Sequence, residues 1–462
     1  MISRRKAIFS GATALAGGSA LLRQAAAADV SKADQPNPTL PRQFTAGATG
    51  EAYVNQSALL PGEAGKDYNP AVTPNGSTLP FRVVGGVKVF HLIAEEIDHE
   101  FAPGLKAKCW GYNGSTPGPT IEAVEGDHVR VYVTNRLPEP TSVHWHGILL
   151  PNGMDGVAGL SHPPIPPGQT FKYEFTLRQH GTHMYHPHFD EMTQMGLGMM
   201  GALVIHPRQP KGPRPDRDFC LMLSEWRIDP GTSRPNPIEM TDFNVFTINS
   251  KAFPATAPLV AKLGDRVRIR LMNLSAMDHH PIHLHGYDFV ITETDGGSVP
   301  ESAYVSTNTV LVGVGQTRAF EFVADEPGDW AMHCHMTHHV MNQMGHNVPN
   351  MIGINKSPVD HQVRGLLPGY MTMGAKGTGE MAMMAMPTPK NSIPMLGGQG
   401  PFGTIDMGGM FTILKVRKEI TNYDDPGWYQ HPAGTVASSA SAEELSRDGI
   451  DLNLPSTRQA TR

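Results

Sequence analysis

The sequence predicts an all-β protein made of two copies of one sandwich. Three observations carry this. Gly and Pro number 49 and 40 in 462 residues while only 17% of side chains are charged, a composition suited to many short strands and tight turns. Apolar and polar residues alternate with period two, as in His128–Thr134, where Val129, Val131 and Val133 share one face. A phrase then recurs: Gly126-Asp127 through Asn135 is echoed by Gly264-Asp265 through Asn273, within Val260–Leu271 and its sequel.

Taken in order, the chain opens with Ser3-Arg4-Arg5-Lys6, an apolar run from Ala7 to Leu22 and the small residues Ala25 to Ala28. This is the pattern of a twin-arginine signal peptide over residues 1–28, implying export of the folded protein to the periplasm or the medium. The apolar run is too short and too rich in Gly and Ala for a membrane anchor. The net charge is −6, and the leader holds four basic and no acidic side chains, so its removal takes the chain to −10. Such a surface offers nucleic acid no partner.

Residues 29–78, rich in Pro, Gly, Ala and Asn, read as an N-terminal arm. The first domain is expected over 79–210, with strands at Val87–Ile97, Thr120–Ala123, His128–Thr134, Phe171–Phe175 and Gly201–His206. Pro207–Pro215 is a Pro-rich linker, and 211–356 form the second domain. Residues 357–462 are an extension in which nine methionines fall between Gly369 and Met410, followed by a strand from Phe411 to Val416 that returns to the domain. Thioethers are soft ligands for cuprous ion, and flexible Met-rich loops equally make adaptable apolar surface. Met192, Met195, Met199 and Met200 read as packing residues.

The chemistry gathers in histidines. In His333-Cys334-His335, period-two alternation turns both imidazoles to one face of a strand and the thiol to the other, so one tripeptide can serve two metal sites. Cys334 with His339, a second His from elsewhere and Met344 is the ligand set of a blue-copper site. Three further groups carry His-x-His pairs: His144-Trp145-His146-Gly147, His186-Pro187-His188, and His280-Pro281-Ile282-His283-Leu284-His285-Gly286. One pair alone would as readily be a hydrogen-bonded couple or part of a zinc site. Four pairs beside a Cys-bearing strand point to a shared metal cluster. Of three cysteines, Cys334 is engaged as a ligand, which leaves Cys109 and Cys220 as the only two able to pair.

These four motifs, in this order, resemble those of the multicopper oxidases, over roughly Phe81 to Asn355. The resemblance implies two cupredoxin-like Greek-key β-sandwich domains. It implies four coppers per chain: a type 1 site at His280, Cys334 and His339 with Met344 as weak axial ligand, a type 2 ion at His144 and His283, and a type 3 pair at His146, His186, His188, His285, His333 and His335. Asp155, in Gly153-Met154-Asp155-Gly156, matches a carboxylate that helps protons reach the oxygen-reducing cluster, and Val340 stands where many relatives place a second relay carboxylate, a Glu.

The short span from His188 to His280 leaves no room for a middle domain, so the resemblance is to the two-domain, small-laccase type, with its oxygen site shared between subunits of a homotrimer. The implied activity is laccase-like: one-electron oxidation of phenols at type 1 copper, coupled through Cys334 to reduction of dioxygen to water. A cuprous-ion oxidase of copper tolerance is the alternative. A copper-storing protein fits less well, since storage needs neither a type 1 site nor an open cluster.

Overall fold

Alternating apolar residues build two sandwiches whose strands pair in the same way twice. The computed structural model describes residues 59–343, 357–366 and 390–453; the expected leader, most of the arm, Met344 and the methionines from 371 to 386 lie outside these. In the first sandwich one sheet runs Phe81–Val84, Val87–Ala102, His128–Asn135 and Thr170–Thr176, with Leu105–Tyr112 also paired to the long second strand. The other runs Gly118–Val124, Gly201–His206, Gly181–His186 and His144–His146. The second sandwich sets Val245–Ile248, Arg217–Trp226, Arg266–Asn273, Thr317–Val323 and Phe289–Thr294 against Leu259–Lys262, Phe411–Arg417, Gly328–Cys334, His280–Leu284 and Thr309–Val312.

The repeated phrase is a repeated set of hydrogen bonds. Asp127 accepts from the Val124 N–H at 2.9 Å across its turn, and Asp265 from the Lys262 N–H at 2.8 Å. Each turn starts a strand that pairs parallel to an earlier strand of its sheet: His128–Asn135 lies beside Val87–Ala102, and Arg266–Asn273 beside Arg217–Trp226. Asn135 and Asn273 end those strands alike. Their amides donate to the Ile165 and Val312 carbonyls at 2.8 and 3.0 Å, and each Oδ1 accepts a backbone N–H two residues on at 2.9 Å. Both Asn side chains are buried, so these bonds replace water that cannot reach them.

The sandwiches take in residues from both flanking segments, including the strand at Phe411–Val416 that was expected to return to the second domain. Tyr68 and Ala71, within the expected arm, are buried, while Val72 bridges Phe219 and Thr78 bridges Thr120. The strand Phe411–Arg417 inserts between Leu259–Lys262 and Gly328–Cys334, so the sheet that carries Cys334 is incomplete at residue 356. Met199 and Met200 are buried as expected of packing residues, whereas Met192 is exposed.

A third apolar cluster lies between the sandwiches, where Phe101, Leu105, Met184 and Met200 of the first meet Met222, Trp226, Val245 and Met272 of the second. Cys109 and Cys220 both sit in this cluster and both are free thiols. Burial pushes the Cys109 thiol up to about 12, so neither reactivity nor pairing is needed to explain it.

Beside this cluster is a fully buried charge group. Arg270 donates to both Asp218 oxygens at 2.8 and 2.9 Å, to Glu293 at 3.0 Å and to the Thr182 hydroxyl at 2.7 Å. Thr182 belongs to the strand that ends in His186, so the group ties a histidine-bearing strand of one sandwich to the other. Replacing Arg270 with Met would leave buried Glu293 without its cationic partner and Asp218 with only Arg268, at 3.7 Å. The expected loss is about 3–5 kcal/mol, read as a fall in Tm of roughly 5 °C in thermal unfolding of the copper-free protein. An unchanged Tm would mean the group contributes nothing to stability.

Candidate metal centre

Register places the candidate ligands. Ile282 pairs with Cys334 and His283 with His333, so the Cys334 thiol and His280 point into the second sandwich while His283 and His333 turn to its outer face. His339 comes from the 3₁₀ turn Thr337–Val340, which folds back over the end of that strand. The three donors converge. Cys334 Sγ lies 3.5 Å from His339 Nδ1 and 3.8 Å from His280 Nδ1, and the two nitrogens are 3.1 Å apart. All three residues are buried, and Phe246 stacks on the His339 ring at 4.0 Å.

Burial sets the protonation of this triangle. It depresses His280 to about 3 and His339 to about 4, so both imidazoles are neutral at neutral pH and free to ligate. It lifts the Cys334 thiol to about 12, so the sulfur keeps its proton until a cation displaces it. The second nitrogens are fixed: His280 Nε2 is 2.6 Å from the Ser275 hydroxyl, and His339 Nε2 is 3.4 Å from the Asp278 carboxylate. Two neutral imidazoles and one thiol in a dry pocket are a soft donor set that fits copper and does not fit calcium or magnesium.

The remaining eight histidines form two quartets. His144, His146 and His186 bring their ring nitrogens within 4.8 Å of one another, and the His188 ring lies 5.5 Å from that of His144. In the second sandwich His285 Nε2 and His333 Nε2 are 3.1 Å apart, with His283 and His335 5.6 Å from each other between their centroids. In each quartet two rings set Nδ1 against a main-chain carbonyl: His186 on Pro187 at 2.9 Å and His333 on Cys334 at 2.8 Å, and, both at 2.7 Å, His144 on Asp155 and His283 on Asn308. All four are thereby left with Nε2 for a metal. Among the described residues no ring contact or hydrogen bond joins one quartet to the other. What the second sandwich presents to His146 in the same chain is Gly315 and the Asp295 charge, not a histidine.

Asp155 therefore holds His144 through its carbonyl, and its carboxylate lies 3.6 Å from the same nitrogen. The approach depends on Gly156, whose φ is +91° and where a Cβ would stand 1.9 Å from the Val143 carbonyl oxygen. Two contributors were not legible in the sequence. Glu191 reaches His186 Nδ1 at 3.5 Å and His188 Nε2 at 3.7 Å. His183 is buried against Gly147 of the first motif and Gly296 of the second sandwich, and its ring hydrogen bonds the His146 backbone. The spacing of Glu191, three residues past His188, is the only signal that could have flagged it. Val340, at the position where many multicopper oxidases are expected to place a relay Glu, is buried.

Residues 94–210 and 229–353 each match a family model described as multicopper oxidase, together just over half of the chain. The chain belongs to the multicopper oxidase family. Its fold resembles the blue copper oxidase from Nitrosomonas europaea, with a TM-score of 0.54 and 26% identity over 74% of this chain and 91% of that one. Copper resistance protein A of Escherichia coli is 29% identical over 266 residues, 47% of this chain and 43% of that protein. Laccase-1 of Cryptococcus neoformans is 31% identical over 225 residues, 42% of this chain and 36% of that protein. The matched region thus spans less than half the length of each of these two relatives. The cupredoxin-like β-sandwich describes both sandwiches of this multicopper oxidase chain, one falling largely within each family match.

Proposed function

We propose that the chain is an oxidase that withdraws single electrons from a small reductant and passes them to dioxygen, holding four coppers per chain. One observation carries this reading: neighbouring residues at the end of one strand divide between two donor sets, Cys334 in the buried triangle and His333 and His335 in the outer quartet. Copper bound at such sites supplies one-electron redox chemistry at the thiolate site and four-electron reduction of dioxygen to water at the histidine cluster. Within the chain, the covalent path from Cys334 to His333 and His335 is the shortest link between the two donor sets. The triangle would take one ion through His280, Cys334 and His339. The quartets would take three, His144 and His283 holding one and the other six imidazoles the remaining pair.

Among the described residues, the side chains around the triangle leave the reductant an approach at His339. His280 is sealed by Ser275, whereas the His339 edge meets Asp278, whose side chain is 36% exposed. Asp278 can accept a hydrogen bond from a phenolic hydroxyl and hold the ring against the His339 edge. At the first quartet, Asp155 and Glu191 are the carboxylates that stand beside ligands and can hold a proton there. Because the quartets do not meet within the chain, we assign the cluster to an interface between subunits of a head-to-tail homotrimer. Export by the twin-arginine route to the periplasm or medium rests on the leader motif; no helix among the described residues is long and apolar enough to cross a membrane.

Oxygen uptake by copper-loaded protein with a phenol is the direct test, and its absence with every one-electron donor would overturn the oxidase reading. Cuprous ion is the second reductant to try, favoured by the methionines between 371 and 386 and by the likeness to copper resistance protein A. Changing those six methionines to Leu should lower kcat/KM for cuprous ion several-fold and leave that of a bulky phenol unchanged. Equal losses on both substrates would remove the case for cuprous ion.

A further inference from the structure

The loop that supplies His339 is held by a part of the chain that follows it by some distance in sequence. Residues 390–410 begin at the first sandwich, where Asn391 exchanges two hydrogen bonds of 2.8 Å with the Lys106 backbone. Ile393 then packs in the cluster between the sandwiches, and its N–H donates to the Gln343 side chain at 2.8 Å. The segment ends against the ligands themselves. The Gly408 N–H donates to the Val340 carbonyl at 2.7 Å, and the Met410 N–H donates to the His339 carbonyl at 2.9 Å. The Met410 carbonyl in turn accepts the Cys334 N–H at 3.0 Å. One residue, Met410, is thus bonded through its backbone to two of the three donors of the triangle.

Two side-chain features lock this arrangement. Gly409 has φ of +56°, and a Cβ there would stand 2.4 Å from the His339 carbonyl oxygen, so the segment can lie this close to the loop only with Gly at that position. Asn342, 1% exposed, spans the gap: its Oδ1 accepts the Gly409 N–H at 2.9 Å and its Nδ2 donates to the Phe253 carbonyl at 3.1 Å. Phe253 also donates its N–H to the Gly409 carbonyl at 2.9 Å. Both polar atoms of the Asn342 side chain and both backbone groups of Gly409 have partners, the kind of satisfied buried contact that enforces one geometry.

We propose that Gly409 and Asn342 are positioning residues for the Cys334–His339 site: with Met410 they fix the spacing of thiol and imidazole before any metal arrives, and so set the properties of the copper held there. This rests on the copper reading of that triangle. A loop held by its own turn alone would adjust to the metal. A loop braced from outside imposes its spacing on the metal instead.

The test compares Gly409→Ala with Gly403→Ala in the full-length protein. Gly403 lies in the same segment at φ +128° with open space around its Cβ, so both changes strain the backbone and only one presses on the ligand loop. Gly409→Ala should shift the blue charge-transfer maximum, the copper hyperfine splitting and the reduction potential. In metal-free protein it should speed labelling of Cys334 by a disulfide reagent by about tenfold, with a Cys334→Ser background subtracting Cys109 and Cys220. Gly403→Ala should do neither. If Gly409→Ala does not fold, Asn342→Ala carries the same expectation. A folded variant with wild-type spectrum, potential and labelling rate, or equal effects at Gly403, overturns the brace. A wild-type protein that takes up copper without any blue band overturns the copper reading itself, whatever the variants do.

Discussion

Replacing Cys334 with Ser should abolish the blue colour of the copper-loaded protein and its oxidase activity together. The colour requires charge transfer from a thiolate, and Cys334 is the only sulfur among the His, Cys and carboxylate donors of the buried triangle. The other two thiols cannot substitute, because Cys109 and Cys220 lie in the apolar cluster between the sandwiches. A serine hydroxyl is a hard, protonated donor at neutral pH and forms no such bond with copper. The substitution is also nearly isosteric in a pocket with no exposure, so the fold should survive. The quartets keep all eight imidazoles, and copper bound there should persist in metal analysis. A retained blue band in the Ser variant would sink the assignment of the triangle.

Two inactive variants should regain activity when mixed. One carries His186→Ala and His188→Ala, the other His333→Ala and His335→Ala, so each loses half of a cluster in a different sandwich. If the cluster forms within a chain, no mixture can restore it. If it forms between the first sandwich of one subunit and the second of the next, random assortment gives an intact pairing at about a quarter of interfaces. Oxygen uptake should then return to roughly that fraction of wild type, from a starting value near zero. The absence of contacts between the quartets within the chain favours this outcome, as does the position of Gly315 against His146. No recovery in spite of demonstrated subunit exchange would place the cluster elsewhere.

The brace and the buried Arg270 group differ in what they protect. Arg270 joins the sandwiches and should affect stability throughout the molecule, whereas the Gly409 contact touches only the ligand loop. Measuring Tm alongside the spectra separates them.

The sequence by itself determined the parts of this protein that depend on local periodicity. A strand alternates whatever surrounds it, so His333-Cys334-His335 had to divide its side chains between two faces, and each His-x-His had to present both rings together. The Gly-Asp and Asn positions of the repeated phrase are likewise local, since each closes its own turn or strand end. Family resemblance, resting on these same motifs, supplied the pairing of His280 with Cys334 and His339. Tertiary structure decided everything that depends on how distant segments meet. Whether Cys109 and Cys220 pair turned on their placement in the core between the sandwiches, where both remain free thiols. Glu191 beside His186 and His183 behind His146 have no periodic signature, because each acts through space from a neighbouring strand or helix. Gly409 shows the same limit most clearly: one glycine among 49 in the sequence, it is singled out only because folding brings its backbone against the carbonyl of His339.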